Sequence, residues 1–543
     1  MTLDRRYWLW DMLLLLALAG LLRLHGLGAL SFYYDEAENA LVARTYLQTG
    51  HFELPSGKSE PNGLLYKWLT AEMFRFFGES EWSARVPAAL FGILTTLWIY
   101  LWSSHWFGSW TGRAAGFLFA VWPWTVTWGR IGRFYGLQQF LFVLMVVSAW
   151  KILECNCLGH PMAEPPKVSG RKPGLALRLL RLAPLAGWIA LSLLASATTV
   201  LAVSFLPAYL LMRLAWCWRR GKSQDCEFGR SLRYFLSGAA ASVATLTLLW
   251  VLNPDAVYAG FGLLKLPYSP GYYALFLREN FGLAFLALAL AGTVMAWRKG
   301  RPGWMVLCAA WAPILVHSLL VPHYRDRFIY HAFAFVLILA ALPLGWALEA
   351  LKDFFNVRLS LRARPTWRDA LAVAVLAVAA QSVIQNVLLA ECGTAAVVRG
   401  SRKTLAREVA DWRGLAAIFN ADPGVQTKEG AMTEASGSRS RATLVSADAI
   451  PTAYYLRLPD FMYPDVDPKG MEIHPHTATP ILKDATAMNR ILDSTGEVWV
   501  VGTRRKFEAA SRSASGARLW NRLMEESSEI WQGEHEVLFH LGR

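Results

Sequence analysis

Eleven apolar segments, most of them near the about 20 residues a helix needs to cross a lipid bilayer, constrain this chain more than any other feature. They fall at roughly 8–28, 84–103, 112–128, 134–151, 183–198, 200–217, 233–252, 281–297, 303–321, 328–350 and 369–390. Backbone polar groups inside a bilayer have no water to bond, so each segment is expected to be an α-helix. The pair 183–198 and 200–217 is also compatible with one long tilted helix. With 55% hydrophobic and 17% charged residues over 543 positions, the chain is too apolar for an ordinary soluble enzyme. Arg5 and Arg6 precede the first segment, which resembles a secretory signal on its own; the segments that follow make it an uncleaved first span.

The basic residues set the expected orientation, because Lys and Arg favour cytoplasmic loops. Alternate connections carry Arg5 and Arg6, then Lys167 to Arg181, Arg219 to Arg233, Arg298 to Arg301, and Arg358 to Arg368. The other connections hold few bases, and the longest, residues 29–83, is rich in Asp and Glu. The N-terminus is therefore expected in the cytoplasm and the tail outside. The excess of 54 Lys+Arg over 40 Asp+Glu is a topology signal, with no nucleic-acid partner implied. Six cysteines, at 155, 157, 217, 226, 308 and 392, give no disulfide framework, and the first four are expected in cytoplasmic loops.

Two domains are expected: a membrane domain over 1–390, with outer loops at 29–83 and 253–280, and a small soluble α/β domain over 391–543. In the latter, 442–446 and 497–501 read as buried strands. Residues 402–419 show helical spacing at Leu405, Val409, Trp412, Leu415 and Ile418. A polar stretch, 426–442, separates these elements. The loop at 253–280 carries four tyrosines and three prolines, a composition suited to the lipid interface.

The 29–83 loop opens with S-F-Y-Y-D-E-A-E-N-A, which puts Asp35 and Glu36 at the bilayer rim. On their own these acids read as the start of a helix over 35–48, Asp35 capping it and Glu38 complementing its dipole. The loop continues T-G-H-F-E-L-P, then K-S-E-P-N-G-L-L-Y-K-W-L, then F-G-E-S-E-W-S-A-R-V-P into the second span, and W-G-R-I-G-R-F-Y-G-L-Q-Q-F follows the third. In that order, over about residues 30–150, the chain resembles the GT-C glycosyltransferases related to protein O-mannosyltransferase and lipid A aminoarabinose transferase. Two departures stand out. Gln138 occupies a position where several relatives carry aspartate, and Glu60-Pro61-Asn62-Gly63 replaces a Lys-Pro-Pro turn.

The resemblance implies a polytopic α-helical membrane enzyme with a GT-C-like fold of about 11 spans. It would take a sugar from a polyprenyl-phosphate donor to an extracytoplasmic lipid, protein or glycan acceptor in a bacterial-type inner membrane. Asp35 and Glu36 would be the catalytic pair, with Asp35 as general base in an inverting reaction. Arg133, Arg325, Arg327, Lys58 and Lys67 would meet the donor phosphate or lipid headgroups. Tyr34, Glu60, Tyr66, Tyr135, His323 and Tyr324 would line the donor or acceptor pocket. Arg130 reads as a side chain snorkelling at the membrane edge. No cofactor is expected; a divalent cation on the Asp35-Glu36 carboxylates, with His51 or His323, is the alternative. His474 and His476 read as polar loop residues. A transporter or flippase of a lipid-linked saccharide competes with the enzyme reading, although no repeat is evident and the spans hold few ionisable residues. A membrane scaffold is the third possibility.

Overall fold

The computed structural model describes residues 5–60, 62–155, 175–195, 202–219, 269–320, 325–358, 366–390, 394–398, 410–421, 442–463, 477, 479–482, 484–494, 496–533 and 535–542. In chain order the helices are α1 (Arg5–Leu24), α2 (Tyr34–Thr49), α3 (Leu64–Phe77), α4 (Glu81–Phe107), α5 (Ser109–Val121), α6 (Pro123–Gly129), α7 (Tyr135–Trp150), α8 (Leu175–Ala195) and α9 (Phe205–Arg219). Then come α10 (Tyr272–Arg298), α11 (Arg301–Leu320), α12 (Tyr330–Asp353), α13 (Trp367–Val383), α14 (Thr394–Val398) and α15 (Trp412–Ala421). The remainder is β1 (Thr443–Ser446), α16 (Ala449–Tyr455), β2 (Phe461–Met462), α17 (Ala485–Ser494), β3 (Glu497–Thr503), α18 (Arg504–Ala510), α19 (Ala514–Glu526), β4 (Glu529–Gln532) and β5 (Glu536–Gly542). The chain forms two compact units: Met1–His25, Ala88–Gly129 and Phe134–Ala396 make the first, and Gly26–Pro87, Arg130–Arg133 and Val397–Arg543 the second.

The first unit is a helical bundle, and the chain is a polytopic integral membrane protein. Among the described residues, six helical stretches are long and apolar enough to cross a bilayer: Glu81–Phe107, Tyr135–Glu154, Tyr272–Arg298, Arg301–Leu319, Arg327–Asn356 and Trp367–Ala396. Among the described residues, every expected span falls on helical structure, one of them on two helices, and 233–252 lies outside the described residues. The pair at 183–217 is interrupted by a turn at 203–204, just before α9. α12 is buried along most of its length, whereas α1 exposes Leu9, Trp10, Leu13, Leu14 and Leu21, the apolar surface that lipid covers.

Two expectations change here. The segment 112–128 is broken at Trp122, because Pro123 has no N–H to offer the Phe119 carbonyl. Fully buried Arg23 repairs the break. Its guanidinium donates to Phe119 O at 3.1 Å and Ala120 O at 3.0 Å, and Thr125 Oγ1 donates to Phe119 O at 2.6 Å. Gly92 gives the guanidinium room, since a Cβ there would lie 2.7 Å from Arg23 Nε. The end of the 253–280 loop is helical: α10 starts at Tyr272 and buries Tyr273, Leu277 and Phe281 at helical spacing, with a kink at Gly282. Residues 253–268 lie outside the described set.

A second buried charge set holds α9 and α11 to the turn after α7. Glu154 accepts from Tyr209 Oη at 2.6 Å and Arg301 Nη1 at 2.8 Å, and Arg213 Nη1 lies 3.0 Å from its carboxylate. Arg213 Nη1 also donates to Leu153 O at 3.2 Å, and the opposed charges offset the cost of burial. Cys217 sits in α9, where a loop was expected, and both Cys217 and Cys308 are buried free thiols. Cys157, Cys226 and Cys392 lie outside the described residues.

The second unit contains a five-stranded sheet in the order β2-β1-β3-β5-β4, with β1 parallel to β2 and β3, and β5 antiparallel to β3 and β4. The strands expected at 442–446 and 497–501 are β1 and β3, and both are buried. Amphipathic α17 and α19 cover one face through Met488, Leu492, Leu519 and Leu523. Trp412, Leu415 and Phe419 of α15 pack with Leu444, Trp499 and Leu538. Leu405, Val409 and residues 426–441 lie outside the described set.

Residues 26–87 belong to this unit, although they lie far from the sheet in the chain. Phe32, Ala37, Leu41 and Phe74 share a core with Ile450 and Ala453 of α16. Tyr455 ties the two segments: its hydroxyl accepts from Phe32 N–H at 2.6 Å and donates to Glu81 at 2.8 Å. Arg44 Nη2 donates to Tyr454 O at 3.3 Å and the guanidinium lies 4.5 Å from the Tyr454 ring centroid, while Nε donates to Glu79 at 2.8 Å.

Candidate active site

The site grows from α2, whose residues Glu36 to Ala43 are all buried. Enclosing three polar side chains in such a run, Glu36, Glu38 and Asn39, is costly unless each has a partner. Tyr33, not Asp35, is the N-cap residue, and the Glu36 carboxylate accepts from the Tyr33 N–H at 3.3 Å.

Glu36 is the centre of a buried knot. Arg85 Nε donates to Glu36 Oε1 at 2.8 Å and Nη2 to Oε2 at 2.7 Å. The remaining Arg85 donors go to the carbonyls of Leu27, Leu30 and Ser31 at 2.7–3.0 Å, so all five guanidinium N–H groups are used. Gly132 N–H donates to Glu36 Oε1 at 2.5 Å. A Cβ at Gly132 would lie 3.2 Å from that oxygen, which is why glycine suits this turn. The knot binds the start of α2, the start of α4 and the turn at 130–133. It gives the R-V-P and G-R-I-G-R-F motifs a physical reason.

That turn presents Arg133. Its Nη1 donates to the Asp35 carbonyl at 2.9 Å and lies 3.7 Å from Glu38 Oε2. Arg130 is buried and donates to Gly26 O at 3.2 Å, so it does not snorkel; burial and the nearby Arg85 lower its pKa to about 10. From α3, the Lys67 side chain is almost fully buried. Its Nζ donates to the Glu60 carbonyl at 2.7 Å and lies 4.0 Å from the Glu60 carboxylate. Burial brings its pKa down to about 8, with Glu60 and Glu38 opposing and Arg133 reinforcing the drop. Burial also pushes the Glu38 carboxyl above its ordinary range, against the pull of Arg133. Tyr34 is raised by burial and by Glu38, Asp448 and Asp35, so its phenol stays protonated.

The second unit thus brings together Asp35, Tyr34, Glu60, Lys67 and Arg133 from the expected set, and adds Glu38. Asp35 is half-buried. Glu36 lies beside them with its carboxylate engaged in the knot. Tyr66 is buried, with its hydroxyl donating to Ala84 O at 2.8 Å, while Lys58 is exposed on the turn before Glu60. Arg325, Arg327 and Tyr135 belong to the first unit. There the Arg325 carbonyl accepts from Tyr273 Oη at 3.0 Å, Arg327 lies over the Phe328 ring, and buried Tyr135 packs edge-on against Trp128. His323, Tyr324, His474 and His476 lie outside the described residues. Among the described residues no group of three or more His, Cys, Asp and Glu has metal-binding geometry. The i, i+3 spacing of Asp35 and Glu38 was the sequence sign of a shared face.

A mixed cluster of carboxylates and cations, with a protonated phenol, can bind an anionic group and move a proton beside it. Residues 59–156 match the profile of the family described as dolichyl-phosphate-mannose-protein mannosyltransferase. A comparison with curated protein sequences gives no match. Among solved structures, the chain is similar to ArnT from Cupriavidus metallidurans in the apo state, with a TM-score of 0.58, 15% identity, and 99% of this chain and 98% of that one covered. ArnT bound to undecaprenyl phosphate gives a TM-score of 0.57 at 14% identity, with the same coverage. The archaeal oligosaccharyltransferase AglB from Archaeoglobus fulgidus, in complex with an inhibitory peptide and a dolichol-phosphate, gives 0.60 at 12% identity over 98% of this chain and 74% of that one. The chain therefore shares the fold of ArnT and of AglB.

Proposed function

We propose that this protein is a glycosyltransferase that moves a sugar from a polyprenyl-phosphate donor to a hydroxyl on an extracytoplasmic lipid, protein or envelope glycan. The observation that carries the reading is the gathering of Asp35 with Arg133 and Lys67 on the segment at 26–87 and the turn at 130–133. In this reading Asp35 takes the proton from the acceptor hydroxyl as that oxygen attacks the anomeric carbon, inverting it. Arg133 and Lys67 neutralise the departing phosphate through charge-assisted hydrogen bonds. Glu36 shapes the site by holding Arg85 and Gly132, and Lys58 suits a lipid headgroup. The N-terminus lies in the cytoplasm of a bacterial-type inner membrane and residues 391–543 lie outside, following the distribution of basic loops.

The test is transfer by purified protein in lipid nanodiscs, using a panel of polyprenyl-phosphate hexoses and pentoses and measuring release of the free carrier. Asp35→Asn is expected to lower turnover by about 10² to 10⁴ with unchanged thermal unfolding. Near-normal turnover in that variant would remove Asp35 from the role of base. Mass spectrometry of envelope glycans with and without the protein identifies the acceptor.

A further inference from the structure

The buried face of α2 carries polar atoms that the roles above do not use. Asp35, Glu38 and Asn39 stand at i, i+3 and i+4, on one face of the helix. Glu38 is 9% exposed, and among the described residues its carboxylate makes no hydrogen bond. Its ion-pair partner Arg133 stands off at 3.7 Å. Asn39 is 1% exposed; its Nδ2 donates to Thr70 Oγ1 at 3.2 Å, while its Oδ1 has no partner among the described residues. Buried polar atoms without partners are rare enough to need an explanation. Asn39 Oδ1, next to a buried carboxylate held, among the described residues, only by the ion pair to Arg133, is explained by a ligand whose own polar groups complete it.

Resting on the reading of the site as a polyprenyl-phosphate sugar transferase, we infer that Glu38 is the general acid of the transfer, protonating the phosphate oxygen that leaves the sugar. The bond between the anomeric carbon and the phosphate oxygen breaks, and its electron pair stays on that oxygen. Glu38 gives it a proton. Asp35 receives the proton of the acceptor hydroxyl, whose oxygen forms the new glycosidic bond. At the end Asp35 is protonated and Glu38 ionised, and one proton passing through solvent from one to the other resets the pair. Asn39 Oδ1 accepts a hydrogen bond from a sugar hydroxyl.

The surroundings support this division of labour. The groups that act on Glu38 are Asp35 and Tyr34 on its own helix, Lys67 on α3, Glu60 in the preceding turn and Arg133. Burial, Glu60 and Asp35 favour its neutral form; Arg133 and Lys67 oppose it. Carboxyl pairs whose environments push them apart are how one site holds an acid and a base together.

The experiment compares wild type, Glu38→Gln and Lys67→Arg in nanodiscs, with thermal unfolding as the folding control. Infrared difference spectra are recorded first, with undecaprenyl phosphate as the probe. A protonated-carboxyl band at neutral pH that shifts on adding undecaprenyl phosphate, and is missing from Glu38→Gln, supports the assignment. Absence of the band, or a band indifferent to the probe, overturns it. The pH profile of kcat is then measured at saturating concentrations of whichever donor of the panel wild type uses, where the pH dependence that Lys67 gives to donor affinity drops out. Glu38→Gln is expected to fall by about 10² or more and to lose the alkaline limb, because the acid must be protonated to act. Lys67→Arg should keep that limb. A limb that survives Glu38→Gln, or vanishes in Lys67→Arg, overturns the inference while leaving the transferase reading intact. Failure of wild type on every donor defeats the transferase reading itself, and Glu38 as its acid falls with it.

Discussion

Replacing Glu36 by Gln perturbs the buried knot while keeping its size. The carboxylate accepts from Arg85 Nε and Nη2, from Gly132 N–H and from Tyr33 N–H. An amide keeps one oxygen and turns an NH₂ toward donors, so at least one N–H···O contact becomes donor against donor. It also removes the carboxylate paired with the buried Arg85 guanidinium. Breaking one side of a buried ion pair costs ~3–5 kcal/mol, which corresponds to a drop of roughly 6–20 °C in unfolding temperature for a unit of this size. Thermal unfolding in detergent, with limited proteolysis of the segment at 26–87, measures it. A double-mutant cycle with Arg85→Met isolates the pair and is expected to show coupling of about 1–3 kcal/mol. Unchanged unfolding temperature in Glu36→Gln, or coupling near zero, would refute the argument that this pair holds the loop.

Gly132→Ala places a methyl group 3.2 Å from Glu36 Oε1, and a loss of about 1–3 kcal/mol is expected in the same unfolding assay. Tyr455→Phe removes the hydroxyl shared by Phe32 N–H and Glu81. A cost of about 1–3 kcal/mol, together with faster proteolysis between residues 26 and 87, is the expected outcome. Lys67, lowered to about 8, is charged below that pH and neutral above it. Undecaprenyl phosphate affinity is therefore expected to fall as pH rises through about 8, and Lys67→Arg to abolish that fall. In the unliganded protein the sign is opposite. Between about 8 and the ordinary lysine value of about 10.4 the unfolded chain binds the proton that folded Lys67 has lost, so stability rises with pH across that window.

The membrane spans were legible in the sequence because the bilayer imposes one condition on every span, a run of apolar residues long enough to cross it. The strands at 443–446 and 497–503 were legible for a similar reason, as buried apolar runs. The break at Pro123 was written in the sequence, but its repair by Arg23, about a hundred residues earlier, was not. Within the site, Asp35, Lys67 and Arg133 stood in motifs that could be recognised one at a time. What those motifs hold in common, the Glu36–Arg85 knot, depends on residues 49 positions apart meeting in a dry interior. Periodicity is local and carries no record of such a meeting. The same limit applies to Glu38, which by sequence alone complemented a helix dipole. Only its enclosure by α3 and the turn at Arg133, which strips water from the carboxyl and leaves it without a hydrogen bond among the described residues, separates it from the acids that merely begin a helix.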